Sequence, residues 1–434
     1  MIGSCVAVRA VHVQDVPFLF QLLHNQWKKP RDLSKLQDGK LRCLVRHAYD
    51  KVPYYRRLFD SAGVRPEDIT GVEDLPRLPV TSREDLMRLP QEEILARGLD
   101  PHRCRQAMTS GSTGIPLTIL HRRQDQTKIN LAWGRAYLAH GFKPWQRMAG
   151  FTGQRDIPRS KPWYEHLGLM RRRVLSTWDD PSQWISELRT WQPQALSGYV
   201  MTLKLLASAM EAQEVTDVRP KVIFQCSGLL DEVSRRFLHS VFGAKIVDIY
   251  GSAEGGCIAW ECETCSGYHV NSDMVIVELL DDGKPVPPGD EGEVVITNLH
   301  SYAMPFIRYR QADVAVWAEG PSRCGRGFPL MRVIAGRLGD FITLPSGEKL
   351  SPHHFFIALD TAVGIARWRL IQETRHRLRA EVVVNPSSSD RASEAAKANL
   401  EAIVGDEMEI IVSEVPSLPY DPSQKFRSVL SLIS

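Results

Sequence analysis

Thr109-Ser110-Gly111-Ser112-Thr113-Gly114-Ile115-Pro116 runs straight into the β-rich stretch Leu117 to Leu120. Two glycines let the backbone approach a ligand closely, and four hydroxyls with the loop amides offer donors to anionic oxygens. A phosphate chain demands that combination. A flexible Ser/Gly linker has similar composition but is not ordinarily followed at once by a strand, whereas Gly-rich loops that abut one commonly serve phosphates. No Gly-Lys-Ser/Thr closes the loop, so it is not the P-loop of the NTPases.

Working outward, residues 38–99 read as helical. Leu41, Leu44, Val45 and Ala48 fall at helix spacing, Pro53 closes that helix, and Thr81-Ser82 before Glu84 and Asp85 looks like a capped start. Beyond Met108, β-rich runs (Lys221 to Gln225, Lys245 to Tyr250, Val275 to Leu280, Glu293 to Thr297) alternate with helical ones (Met201 to Ala212, Glu232 to Phe242). That alternation predicts an α/β sheet. Asp281-Asp282-Gly283-Lys284 reads as a hairpin turn. After Gly336 a strand hairpin, helix, strand, helix and strand follow, long enough for a small α+β domain. The expected fold class is α/β: a large N-terminal domain of mixed or parallel sheets flanked by helices, plus a small C-terminal α+β domain. Its divisions are a helical part over 1–100, an α/β part over 101–335, and the small domain over 336–434.

The 434 residues are 43% apolar and 24% charged, ordinary values for a globular protein. A net charge of +3 is too small for an electrostatic nucleic-acid footprint. The Arg171-Arg172-Arg173 cluster reads as a solvated helix face. No apolar run is long enough to span a membrane. Val13 to Leu23 carries Asp15 and Gln21 and lacks a basic leader, so it reads as a core helix rather than a signal peptide. The eight unevenly placed cysteines point away from a secreted disulfide framework, and the cytoplasm is the expected location.

Four segments together resemble the adenylate-forming superfamily of acyl-CoA synthetases, adenylation domains and luciferases. The first is the loop above. Tyr250-Gly251-Ser252-Ala253-Glu254 resembles the Tyr-Gly-x-Thr-Glu signature, with Ala for Thr. Arg308-Tyr309-Arg310-Gln311-Ala312-Asp313 resembles Arg-Tyr-x-Thr-Gly-Asp, and Gly336-Arg337-Leu338-Gly339-Asp340 resembles the hinge Gly-Arg-x-x-Asp. Chain length and the helical start ending in Tyr54-Tyr55 are similar to the phenylacetate–CoA ligase branch.

The resemblance implies ATP, Mg²⁺ and coenzyme A, and a carboxylic acid activated as its acyl-adenylate. Thr109 to Gly114 would hold phosphate, Tyr250 would stack on adenine with Gly251 and Ser252 beside it, and Ser227-Gly228 would lie near the same base. Asp313 would accept from both ribose hydroxyls, and Arg337 offers a guanidinium fork to ribose or phosphate. Glu254 offers a hard oxygen to Mg²⁺. Asp340 would be the swivel, and Lys425, in Ser423-Gln424-Lys425, the lysine brought to the α-phosphate. Three departures stand out: Gln424 replaces the usual Gly, Leu117 a common Lys, and Ala253 the Thr.

Cys262-x-x-Cys265-x-x-x-His269 has zinc-ligand spacing, and Cys324 lies in a later polar loop, with Cys257 a competing fourth ligand. Reduced thiols without metal are the alternative. By resemblance the acid lies near Phe151 and Tyr199. Coenzyme A, an acyl carrier protein and an amine remain open as acceptors. So does a non-catalytic relative that only binds nucleotide. No nucleic-acid or membrane partner is expected, and the chain reads as monomer or homodimer.

Overall fold

The computed structural model describes residues 13–108, 117–153, 157, 161–226, 228, 230–264, 267–320, 322–335, 341–350, 354–355, 358–359, 362, 364–384, 391–418 and 428–433. Each early helix follows from its apolar spacing. Pro30–Lys51 buries Leu33, Leu41, Leu44, Val45 and Ala48, and Pro53 opens the next helix, Pro53–Ser61. Ser82 caps Arg83–Met87: its Oγ accepts from the Asp85 N–H while the Asp85 carboxylate accepts from the Ser82 N–H.

The strands, in chain order, are β1 (Arg105–Met108), β2 (Thr118–His121), β3 (Met148–Thr152), β4 (Arg172–Ser176), β5 (Ala195–Gly198), β6 (Val222–Cys226), β7 (Lys245–Ser252), β8 (Gly256–Glu261), β9 (Tyr268–Val270), β10 (Val275–Asp281), β11 (Lys284–Pro285), β12 (Glu291–Asn298), β13 (Tyr309–Trp317) and β14 (Leu330–Ala335). β1 and β2 form a separate antiparallel pair, and the other twelve make one sheet in the order β11-β10-β12-β13-β14-β9-β8-β7-β6-β5-β3-β4. From β4 to β7 the strands are parallel, and from β7 onward each pairing is antiparallel. The change of sense falls at β7. Asp282 and Gly283 both take positive φ (44° and 77°) in the tight β10–β11 hairpin, where glycine avoids the steric cost.

Three apolar clusters flank this sheet, and a fourth holds the early helices against Ile276, Leu299 and Ile307. A fully buried Arg135–Asp273 pair (2.8 Å), also bonded to Asn271 and the Leu22 carbonyl, ties helix Arg123–Ala139 to the sheet. A fifth cluster, drawn from residues after 341, packs β15 (Ile342–Thr343), β16 (Lys349–Leu350), β17 (Ile365–Thr374), β18 (Arg377–Val384), helix Ala392–Val404, β19 (Glu409–Glu414) and β20 (Val429–Ser431).

Three expectations need correction. The helix near the start, Val16–Asn25, buries Leu22 and Asn25 but leaves Phe20 67% exposed, so it lies on the surface. Arg172 and Arg173 belong to edge strand β4, paired with Glu165 and Glu187, rather than to a helix face. The tail has a long strand, β17, that the pattern did not suggest: Arg367 and Arg369 alternate with buried Trp368 and Leu370.

Candidate active site

In open α/β sheets ligands gather beyond the carboxyl ends of the parallel strands, where the topology switches. β7 is the parallel strand at which the sheet turns antiparallel, and Tyr250-Gly251-Ser252-Ala253-Glu254 forms its carboxyl end. The turn is tightly held. Ser252 Oγ accepts from the Gly255 N–H at 2.8 Å, and Asn298 Nδ2 donates to the Glu254 carbonyl at 2.7 Å. A Cβ at Gly251 would stand 2.5 Å from the Gly256 carbonyl oxygen and 2.8 Å from Trp133, so only glycine fits. Ala253 is buried in the apolar cluster that also contains Leu117. A lysine at position 117 would therefore start from a buried backbone position.

The two motif carboxylates are held reciprocally. Tyr250 OH donates to Asp313 Oδ2 at 2.6 Å, and Tyr309 OH donates to Glu254 Oε1 at 3.1 Å. Burial first, and the partner carboxylate second, raise both phenols well above their ordinary range, so both remain protonated donors at neutral pH. Glu254 itself is only 8% exposed.

Tyr309 is fixed through its neighbour. Arg308 takes φ 47° and sends a buried guanidinium to both Glu278 oxygens (3.1 and 2.8 Å) and to the Leu78 carbonyl (2.7 Å). Thr81 bridges the same point, donating its N–H to the Arg308 carbonyl and accepting from the Arg310 N–H. Tyr55 OH bonds the Pro305 carbonyl and accepts from the Ile307 N–H. Removing one partner of a buried ion pair such as Arg308–Glu278 costs about 3–5 kcal/mol. The early helical region is thus part of the site's foundation.

Of the other candidates, Gly251 and Ser252 lie in the β7 turn. Gly228 follows β6, its carbonyl accepting from Gln225 Nε2. Phe151 is buried with its ring 5.1 Å from Trp184, and Tyr199 sits half-buried before helix Val200–Ala212. Thr109, Ser110, Gly111, Ser112, Thr113, Gly114, Ser227, Cys265, Arg337, Asp340 and Lys425 lie outside the described residues. The first six are bounded by β1 and β2, whose Met108 and Thr118 face each other at the end where the chain leaves one strand and enters the other.

Two residues escaped the sequence reading. Tyr309 is one. His121, at the end of β2, is the other: burial pushes its imidazole down to about 4, against the Asp125 carboxylate and the Ala253 carbonyl, so it is neutral beneath the β7 turn. The carboxylate of Asp248, two residues before Tyr250, accepts from Tyr268 OH at 2.6 Å, and burial pushes it up to about 7.

Tyr268 belongs to the cysteine-rich hairpin. Cys262, His269 and Cys324 bring their ligand atoms within 4.8 Å of one another, with Cys324 Sγ 3.2 Å from His269 Nε2. Burial, and then nearby Arg326, hold His269 down at about 4, leaving the neutral imidazole that a metal requires. Cys257 is not in this group among the described residues. It lies within β8, packed in the core, and burial pushes its thiol up to about 12.

No protein-family model matches the chain. The phenylacetate–coenzyme A ligase of Thermus thermophilus is 28% identical over 337 residues, covering 73% of each chain. That of Escherichia coli K12 is 28% identical over 374 residues, covering 74% of this chain and 78% of its own. Among solved structures, 2-hydroxyisobutyryl-CoA ligase in the postadenylation state with R3-HIB-AMP superposes with TM-score 0.79, at 20% identity, over 94% of this chain and 91% of its own. An anthranilate CoA ligase with anthranoyl-AMP gives 0.56 at 16% identity, over 90% and 79%. The fold is the adenylate-forming ligase fold.

Proposed function

We propose that this chain, a relative of the phenylacetate–CoA ligases within the adenylate-forming superfamily, is an AMP-forming acid–thiol ligase. It would activate a carboxylic acid with ATP and pass the acyl group to coenzyme A. The observation that carries the reading is the reciprocal Tyr250–Asp313 and Tyr309–Glu254 arrangement at the carboxyl end of β7. In this reading it would offer one carboxylate to ribose hydroxyls and another to a cation, beside the hairpin that bounds the Ser/Gly loop. The curated relatives are named for the same chemistry.

In the first half-reaction a substrate carboxylate oxygen attacks the α-phosphorus of ATP and pyrophosphate leaves. In the second a thiol sulfur attacks the acyl carbon and AMP leaves. Asp313 would hold the ribose through both steps, with Tyr250 against the base. Thr109 to Gly114 would donate to the triphosphate, Ser227-Gly228 would border the adenine, and Arg337 would reach ribose or phosphate. Lys425 would stabilise charge growing on the α-phosphate. Residues 336–434 would rotate about Asp340 between the two steps. Glu254, a buried and hydrogen-bonded hard oxygen, fits Mg²⁺, which when bound neutralises triphosphate charge. Phe151 and Tyr199 would border the acid.

Cys262, His269 and Cys324, completed by Cys265, fit structural Zn²⁺: a soft, mixed sulfur and nitrogen set with a buried imidazole. A closed set of protein ligands leaves no open position for catalysis, so the ion would be a staple between the β8–β9 hairpin and the β13–β14 loop. No helix among the described residues is long and apolar enough to cross a membrane, and a cytoplasmic enzyme is the reading we adopt.

Carboxylate-dependent exchange of pyrophosphate into ATP, across an acid panel with and without coenzyme A, tests the function. Exchange with one acid and thioester formation with coenzyme A support it. No exchange with any acid leaves a nucleotide-binding relative.

A further inference from the structure

Tyr309 is a buried tyrosine, and a buried phenol needs an acceptor. Any carbonyl would satisfy it. The acceptor found is Glu254 Oε1, 55 positions earlier in the chain, on the carboxylate that ends the β7 motif. Three segments fix the donor. Arg308 is locked by Glu278 and the Leu78 carbonyl, Thr81 bridges both sides of the Tyr309 peptide, and the ring stands edge-on to Phe306 at 5.1 Å. A carboxylate at the end of a glycine-rich turn would otherwise be free to rotate about its side-chain bonds. One donor on Oε1 removes that freedom and leaves Oε2 as the oxygen for a cation.

We infer that Tyr309 is a positioning residue for the divalent cation that accompanies ATP, acting through Glu254. This deepens the ATP-dependent reading above and rests on it. The tyrosine would act through the carboxylate, its hydroxyl being spent on Glu254 Oε1. It sets which oxygen of Glu254 is presented and in what direction, and it lowers the ordering that metal binding must supply. Outer partners of this kind typically change metal affinity ~10–100-fold when removed.

The test uses Mn²⁺ as a spin probe with the whole chain and α,β-methylene-ATP, so no acid substrate need be known. Free Mn²⁺ is followed by electron paramagnetic resonance, and AMP binding is measured separately by calorimetry. Tyr309→Phe keeps the ring and removes only the hydroxyl. The expected result is a ~10-fold weaker Mn²⁺ affinity in the ternary complex, with AMP affinity and melting midpoint unchanged. In a Glu254→Gln background, Tyr309→Phe should produce no further change. Unaltered Mn²⁺ affinity overturns the assignment. So does an equal loss of metal and AMP binding, or a collapse in folded yield, because the hydroxyl would then be holding the fold. A parent chain that binds no Mn²⁺ with the analogue refutes the ATP reading itself, and so separates the two failures.

Discussion

Tyr250 and Asp313 are joined by a 2.6 Å hydrogen bond although β8, β9 and β14 lie between their strands in the hydrogen-bonded order of the sheet. The sheet therefore curls until the end of β7 meets the middle of β13, and the contact joins the two motif segments.

That bond makes the two residues separable by binding. Asp313→Ala removes the carboxylate proposed for ribose, and loss of charge-assisted hydrogen bonds should weaken AMP ~10–100-fold. Tyr250→Phe leaves the carboxylate and the ring, so AMP should weaken by no more than ~10-fold. Calorimetric titration of both variants checks the order. Equal losses would mean that Asp313 acts only as a partner for Tyr250.

Lys425→Ala should cripple adenylation while sparing transfer. A positioned cation at a developing phosphoryl charge is worth ~10²–10³ in rate, by analogy with oxyanion-hole donors. Pyrophosphate release should fall by that factor, while thioester formation from supplied acyl-AMP continues. Adenylation at the parent rate would remove Lys425 from the mechanism.

Elemental analysis should find about one zinc per chain, the stoichiometry of a single closed site. Cys265→Ser should lower folded yield rather than abolish chemistry selectively. Cys324→Ser should lose the metal, since Cys324 Sγ stands against His269. Metal-free protein of full stability would refute the staple.

Asp248 should make stability fall as pH rises. Its folded pKa, about 7, lies above the 3.8 of an ordinary aspartate, with burial the first cause. The native state then holds a proton that the unfolded chain has released between those values. The contribution is complete below about 4 and lost as pH passes about 7, up to about 4 kcal/mol. Urea midpoints of the parent and Asp248→Asn, compared from pH 4 to 8, should converge near pH 4 and diverge towards pH 8, with the parent the less stable there. Parallel curves would place the Asp248 carboxyl at an ordinary pKa.

What could be read from the chain was local. Leu41, Leu44, Val45 and Ala48 mark a helix face because burial selects the spacing, and Ser82 with Asp85 marks a cap because both bonds close within four residues. The short parallel strands β3 and β5 are buried on both faces, so they carry no alternation to detect. β17 was hidden by arginines that look like surface charge until Trp368 and Leu370 are seen between them. Tyr309 and His121 were silent for another reason. Their roles depend on Glu254 and Ala253, acceptors that chain curvature brings near and no spacing rule encodes.

The anchoring of Arg308 to Leu78 and Thr81 bears on how such ligases can be recombined. Composition suggests a seam near residue 100, where helices give way to strands. A hybrid crossed over at that seam would match one parent's 76–81 segment with another parent's 308–310, and the tyrosine beside Glu254 would be seated by a foreign support. Productive crossovers should move both segments as one cassette, even though more than two hundred residues separate them.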